Sequence, residues 1–118
     1  MAVSGDVGLP AILALDACIH DGFVGFRNLS SEILPIYFYY HLRARQLSSL
    51  NQATGAIWQN ITTDQIKEWL IPTPPFTIQE HFASIVSRFQ HKREAEREAL
   101  RQSEHLFQSV LHQAFSES

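Results

Sequence analysis

Residues 77–115 read TIQEHFASIVSRFQHKREAEREALRQSEHLFQSVLHQAF and contain neither glycine nor proline. Apolar residues recur there in steps of mostly three or four, which is the pattern of an amphipathic helix or a coiled-coil seam. The seam comprises Ile78, Phe82, Ile85, Phe89, Ala99, Leu106 and Val110. As one helix the run would be roughly 58 Å long. We therefore predict a long helix that organises the chain.

The middle of this run differs from its ends. Residues 90–98 read QHKREAERE, and their mixed charges are typical of a solvated, salt-bridged helix face. The helix could dock on its own domain or pair with a second helix. We favour pairing, because so long a stripe more often meets a second helix.

The start of the helix is marked by Pro74 and Pro75, which disfavour helix immediately before it. Thr77 and Glu80 have the spacing of a capping box, in which each side chain satisfies a backbone N–H of the first turn. These residues predict a helix that begins at Thr77.

Composition narrows the function classes. The chain has 118 residues, of which 45% are hydrophobic and 18% charged, and its net charge is −3. These values predict a folded domain, and they give no global electrostatic argument for binding nucleic acid. The single cysteine, Cys18, fits a reducing cytoplasm, and we expect neither a signal peptide nor a membrane span.

The N-terminal part predicts a small sheet. Short apolar runs occupy residues 11–15, 17–19 and 23–26, and Asp21-Gly22 is a hairpin turn signal before the last of them. Helices are predicted for Ile36–Leu50 and for Thr63–Trp69, the second with a capping box of Thr62 and Gln65. The predicted fold class is therefore α+β, with short strands and helices followed by one long C-terminal helix.

No catalytic or metal constellation stands out. The six histidines lack the Cys/His spacing of a zinc site, and Gly5 and Gly8 are too close for a phosphate loop. Residues 73–76 (TPPF) superficially resemble the proline-pair motif of adenine methyltransferases. A glycine-rich cofactor loop is missing before it, so we interpret the motif as the stop before a helix. We predict no cofactor and no enzyme.

A family resemblance emerges from several motifs taken in order. Residues 54–61 (TGAIWQNI) and 70–76 (LIPTPPF), then Gln79-Glu80 and a long helix, resemble the end of a target-recognition domain in type I restriction–modification specificity (S) subunits. Residues 4–8 (SGDVG), the Tyr-rich residues 35–42 and the closing residues 108–116 also resemble that family. The resemblance covers nearly the whole chain.

The resemblance implies a DNA-binding protein without chemistry of its own. In such subunits, recognition domains read the two halves of a split target. Long helices pair antiparallel, fix the separation of these domains and offer a surface to the methyltransferase (modification) subunits, and through them to the restriction subunit. We expect residues 1–76 to be a partial recognition domain and residues 77–118 to be the spacer helix. One recognition part and one spacer also suggest a homodimer through the seam.

Candidate DNA contacts follow from residue chemistry. Arginine and lysine would contact phosphates, and glutamine or asparagine could pair with adenine edges. The candidates are Arg27, Arg43, Arg45, Gln52, Gln59, Asn60 and Lys67. The alternative is a protein-interaction or dimerisation module with a coiled-coil helix and no contact with DNA, which the net acidity favours slightly.

Overall fold

The computed structural model describes residues 1–52 and 61–116, with the side chains of residues 50–52 left out. It contains three helices in these parts of the chain: α1 (Pro35–Gln52), α2 (Thr63–Lys67) and α3 (Phe76–Ser116). The chain divides into two compact units, Met1–His81 and Phe82–Ser118. No helix in the described parts combines the length and the apolar character that a membrane crossing demands.

The predicted strands are wrong. Within residues 1–52 and 61–116 the only β pairing is one isolated antiparallel bridge between Ala2 and Phe23. Residues 11–15 and 17–19 have no regular structure, and every side chain from Ala11 to His20 is exposed. Short apolar runs form a ladder only where a second strand lies beside them. The described fold is mostly helical, and the α+β class holds only for its helical part.

The N-terminal segment nevertheless has a fixed backbone. The amide of Ala2 donates to the carbonyl of Leu9 at 3.0 Å, and the amide of Gly8 donates back to Ala2 at 2.9 Å. Gly8 has a φ of +85°, a region that glycine enters at little cost. A Cβ at Gly8 would also lie 3.4 Å from Cγ of Gln46, so the loop closes directly against α1.

Helix α1 provides much of the core of the first unit. Phe38 and Leu42 are buried on it, one turn apart, and Phe26 meets Phe38 edge-to-face with ring centroids 5.0 Å apart. Its observed start at Pro35 fits the tolerance of proline in the first turn of a helix. The prediction of this helix is confirmed, with its end at Gln52 rather than Leu50.

Helix α2 is capped as predicted, but it ends at Lys67 rather than at Trp69. The Thr62 hydroxyl accepts from the amide of Gln65 at 3.3 Å, and the Gln65 carboxamide accepts from the amide of Thr62 at 2.9 Å. Ile61 and Ile66 are buried on either side of this cap. The reciprocal bonds hold a helix of only 5 residues in place.

Helix α3 is confirmed, but its predicted cap is wrong. The helix runs for 41 residues and begins at Phe76, so Thr77 already lies inside the first turn. The carbonyl of Pro75 instead accepts the first helical bonds, from Ile78 at 2.9 Å and from Gln79 at 3.3 Å. The proline pair therefore acts as the entry to the helix.

In the second unit, the side chains of residues 87–110 are all exposed. Glu98 accepts two bonds from the guanidinium of Arg101, at 2.6 and 3.0 Å, and one from Gln102 at 3.2 Å. These contacts lower the pKa of Glu98, chiefly through the hydrogen bond from Arg101. The prediction that charges here form a solvated, salt-bridged face is confirmed for this pair.

Candidate nucleic-acid interface

Arg27 and Lys67 are the two candidate cations with exposed side chains. Arg27 follows Phe26, which is anchored on α1, and precedes Asn28, whose φ of +53° turns the chain. Lys67 is the last residue of α2. Neither takes part in an ion pair within the described residues, so both guanidinium and ammonium groups face solvent.

Arg43 is tied into the first unit. Its Nη1 donates to Oε1 of Gln46 one turn later on α1. Gln46 is buried, and its Nε2 donates to the carbonyl of Val7 at 3.5 Å. Arg43 therefore supports the contact between α1 and the N-terminal loop, and its side chain is only half-exposed.

Arg45 stacks on an aromatic ring. Its Cζ lies 4.1 Å from the centroid of the Trp69 ring, which is cation–π geometry. The stacking joins α1 to the segment that follows α2. Trp69 lies two residues after Lys67, the last residue of α2.

A second titratable group lies beside Arg45. His41 is one turn earlier on α1, and burial, followed by the positive charge of Arg45, lowers the pKa of its imidazole. Its Nε2 and Nε of Arg45 are both shielded from solvent without a hydrogen-bond partner among the described residues. Burial and the neighbouring guanidinium both disfavour the charged form of His41.

The remaining candidates are glutamine and asparagine side chains. Gln52 is the last residue of α1, and its side chain is outside the described part. Gln59 and Asn60 lie outside the described residues, as does most of the 54–61 motif. The assignment of all seven candidates to DNA contact stays a prediction.

Gln79 has a structural role that the sequence alone does not predict. Its side chain has no exposed surface, although it lies on the first turn of α3. Its Oε1 accepts from the amide of Leu34 at 2.8 Å, and its Nε2 donates to the carbonyls of Glu32 and Pro74 at 2.7 and 2.9 Å. Its place in the family-like motif was the available signal, but its role was not predicted.

Gln79 thus joins three segments of the first unit. It holds the chain before α1, the proline pair and the start of α3 in one hydrogen-bonded arrangement. Tyr37 adds a second link, because its hydroxyl donates to the carbonyl of Pro72 at 2.9 Å. These bonds fix the Pro-rich connector to α1 through Tyr37 and to the segment before α1 through Gln79.

No group of three or more His, Cys, Asp or Glu side chains in the described parts is arranged to hold a metal ion. The features found instead are a helical unit with exposed cations and a long helix with exposed apolar side chains. Phe89 and Leu106, for example, are 63% and 66% exposed. These features suit binding to macromolecules.

Comparison with known proteins gives one decisive result. A family model described as the type I restriction modification DNA specificity domain matches residues 1–103. This chain belongs to that family. The match spans α1, α2 and most of α3, and it confirms the resemblance found in the sequence motifs. No curated protein and no solved structure matches the chain significantly.

Membership assigns the chain to a DNA-specificity family. The domain described by this family recognises DNA in type I restriction–modification systems. The exposed cations and the proline-pair entry to α3 both fall within the matched residues. These features therefore belong to the part of the chain that matches a DNA-specificity domain.

Proposed function

We propose that this chain is a DNA-recognition component of a type I restriction–modification assembly, without catalytic activity of its own. The observation that carries the proposal is the specificity-domain match over residues 1–103. Residues 1–76 would form the part that contacts DNA, and residues 77–118 would form the spacer helix. Exposed cations at Arg27 and Lys67 are suited to phosphate contact.

The long helix supports the scaffolding part of the proposal. Its apolar side chains Ile85, Phe89, Leu106 and Val110 are exposed. Exposed apolar residues that repeat along one helix face indicate a partner surface. We propose that this seam pairs with a second copy of the chain and that the paired helices present a surface to the methyltransferase subunits, which in turn recruit the restriction subunit.

Two observations are also consistent with the alternative of a pure protein-interaction module. The net charge of −3 and the large exposed apolar stripe would serve such a module without any contact with DNA. The two functions differ in one measurable respect. Neutralising phosphates releases counterions, so the affinity of a DNA-binding protein falls linearly with salt on a logarithmic scale.

The test is fluorescence anisotropy of labelled duplex DNA titrated with the full chain at several salt concentrations. We expect salt-dependent binding that weakens in Arg27→Ala and in Lys67→Ala. Each lost phosphate contact should reduce the magnitude of the slope of log affinity against log salt concentration by about 1. Arg97→Ala is the matched control, because Arg97 is an exposed arginine of α3 that belongs to the second unit of the chain and is not among the candidate DNA contacts.

Binding that is absent at low salt would overturn the DNA-recognition proposal and favour the alternative. Equal losses in Arg27→Ala, Lys67→Ala and Arg97→Ala would reject the assigned residues. Co-purification with a co-expressed type I modification subunit tests the scaffolding part separately. An α3 seam variant such as Phe89→Asp, which puts a charge among the apolar side chains, should reduce pairing.

A further inference from the structure

Two charged residues interrupt the apolar seam of α3 at its centre. Continuing the alternating steps of four and three from Phe82, Ile85 and Phe89 leads to Lys92 and then Glu96 before the seam reaches Ala99. Both side chains are exposed, and neither takes part in an ion pair among the described residues. Charged residues at seam positions reduce stability, but they select the partner and the register.

We propose that the pairing of two α3 helices has a single antiparallel register, which is centred on Glu94 and fixed by Lys92 and Glu96. The inference rests on the scaffolding role proposed for α3 and deepens it. In this register, residues equally far before and after Glu94 lie opposite each other. Lys92 and Glu96 are each two residues from the centre, so Lys92 of one copy faces Glu96 of the other.

The same register matches the apolar residues on both sides of the centre. Phe89 and Ala99 are each five residues from Glu94, so a large ring faces a small side chain. Phe82 and Leu106 are each twelve residues from Glu94 and therefore also meet. All four residues belong to the second unit of the chain.

One further layer of the seam is mixed. Ile85 and Ser103 are each nine residues from Glu94, so an apolar side chain faces a small polar one that leaves it room. Each layer occurs twice by symmetry, because the same pairs form on both sides of the centre. Every seam position from Phe82 to Leu106 therefore has a partner side chain on the second copy.

Other arrangements lose the charge pairs. A parallel pair in register would place Lys92 against Lys92 and Glu96 against Glu96, which is repulsive at two successive layers. Moving an antiparallel copy by one heptad would bring Lys92 opposite either Phe89 or Ser103. Only the register centred on Glu94 gives both charges an opposite partner among these choices.

One like-charge contact opposes the pairing. Arg93 lies on the flank of the seam, close to the symmetry axis, and would approach its own copy. Exposed flanking charges interact weakly, because water and salt screen them. The two Lys92–Glu96 pairs at the seam are closer and better shielded from water, so they decide the register.

Charge reversal tests the proposal on the full chain, by sedimentation equilibrium without DNA or a modification subunit. Lys92→Glu and Glu96→Lys each replace both attractive pairs with like charges. We expect each to raise the dimer dissociation constant at least about tenfold. The double variant K92E/E96K exchanges the partners and should recover the original dissociation constant.

Matched controls separate register from net charge. Arg97→Glu and Glu104→Lys make the same changes of charge at exposed α3 positions outside the seam, and we expect dissociation constants close to that of the parent chain. Losses as large in these controls would overturn the assignment of Lys92 and Glu96. So would single reversals without effect, failure of the double variant to recover, or a parent chain that is monomeric at tens of micromolar.

A distance measurement fixes the direction of pairing. Cys18 is exposed and is replaced by serine, and a spin label is attached through Ser109→Cys. In the proposed register, the label on each copy lies fifteen residues from the centre, and the two labels lie in opposite directions along the helix axis. They would therefore be about 45 Å apart. A parallel pair would bring them to within roughly 20 Å, and that result would overturn the proposal.

Because neither experiment contains DNA, a failure here leaves the DNA-recognition proposal standing. Conversely, if the chain forms a dimer with the predicted register but does not bind duplex DNA, the register centred on Glu94 stands and the DNA-recognition proposal is rejected. The two proposals therefore fail independently.

Discussion

The side-chain oxygen of Gln79 accepts a hydrogen bond from the backbone amide of Leu34 at 2.8 Å, across 45 positions of sequence. The same carboxamide donates to the carbonyls of Glu32 and Pro74. A glutamine matches this site because it both accepts and donates. This one buried side chain joins the segment before α1 to the start of α3 within the first unit.

Replacing Gln79 should therefore be costly. Gln79→Ala leaves a buried amide and two carbonyls without this partner, and we expect a loss of roughly 2–4 kcal/mol in the free energy of unfolding. Gln79→Glu should also destabilise, because a carboxylate accepts from Leu34 but cannot donate to Glu32 or Pro74. Urea unfolding followed by circular dichroism measures both. Gln90→Ala, at an exposed glutamine of α3, is the control, and equal midpoints for Gln79→Ala and Gln90→Ala would refute the role.

The cap of α2 gives a second prediction. Thr62→Ala removes the hydroxyl that accepts from Gln65, and this should cost about 1 kcal/mol of stability. Thr63→Ala is the matched control, since Thr63 is the first residue of α2 and exposed. The comparison is made by thermal or urea unfolding. A Thr63 variant that is the less stable of the two would contradict the observed cap.

The contact between Arg45 and Trp69 can be measured by a double-mutant cycle with Arg45→Ala and Trp69→Leu. We expect a coupling energy of about 0.5–1 kcal/mol, the usual size for a partly exposed cation–π pair. Arg45→Lys should retain part of it, because the ammonium keeps the charge but loses the planar stacking. Additive effects of the two single variants would show that the ring and the guanidinium do not interact.

The lowered pKa of His41 predicts that the stability of the folded chain depends on pH. Burial and Arg45 lower the pKa of its imidazole below the ordinary value of 6.5. The unfolded chain therefore binds the proton at higher pH than the folded chain does. The contribution of neutral His41 to the free energy of unfolding is fully present above about pH 6.5. It is lost as the pH falls from the pKa of His41 in the unfolded chain to its lower pKa in the folded chain.

Substitution isolates the contribution of His41. Urea midpoints measured between pH 7.5 and 5 (~2.5 pH units) should fall less steeply for His41→Gln than for the parent chain. His105→Gln, at an exposed histidine of α3, should keep the parent slope. Parallel pH profiles for His41→Gln and the parent would rule out His41 as the titrating group.

Much of the helical structure follows from local sequence. The absence of glycine and proline after Pro75 predicts α3, and the Thr62–Gln65 spacing predicts the cap of α2, because both depend on residues within a few positions. Helix α1 follows from Pro35 and the apolar residues behind it. Such features need no knowledge of the rest of the chain.

The failures have a common physical cause. The apolar runs at residues 11–15 and 17–19 were predicted as strands, but a strand requires a partner, and a local pattern cannot supply one. The hydrogen bonds of Gln79 and the contact of Arg45 with Trp69 do not follow from local sequence, because they join segments far apart in the chain. The false cap at Thr77 arose because the spacing is right, although the helix already includes Phe76.

We propose that this chain recognises DNA as part of a type I specificity unit, with α3 holding two copies in an antiparallel pair. Both parts of this proposal can be tested together by letting the full chain select duplexes from a random-sequence pool. A twofold-symmetric dimer should enrich an inverted repeat with one fixed spacing between its half-sites. A selected pool with no common sequence would contradict sequence recognition, and half-sites at variable spacing or in direct repeat would contradict the antiparallel spacer.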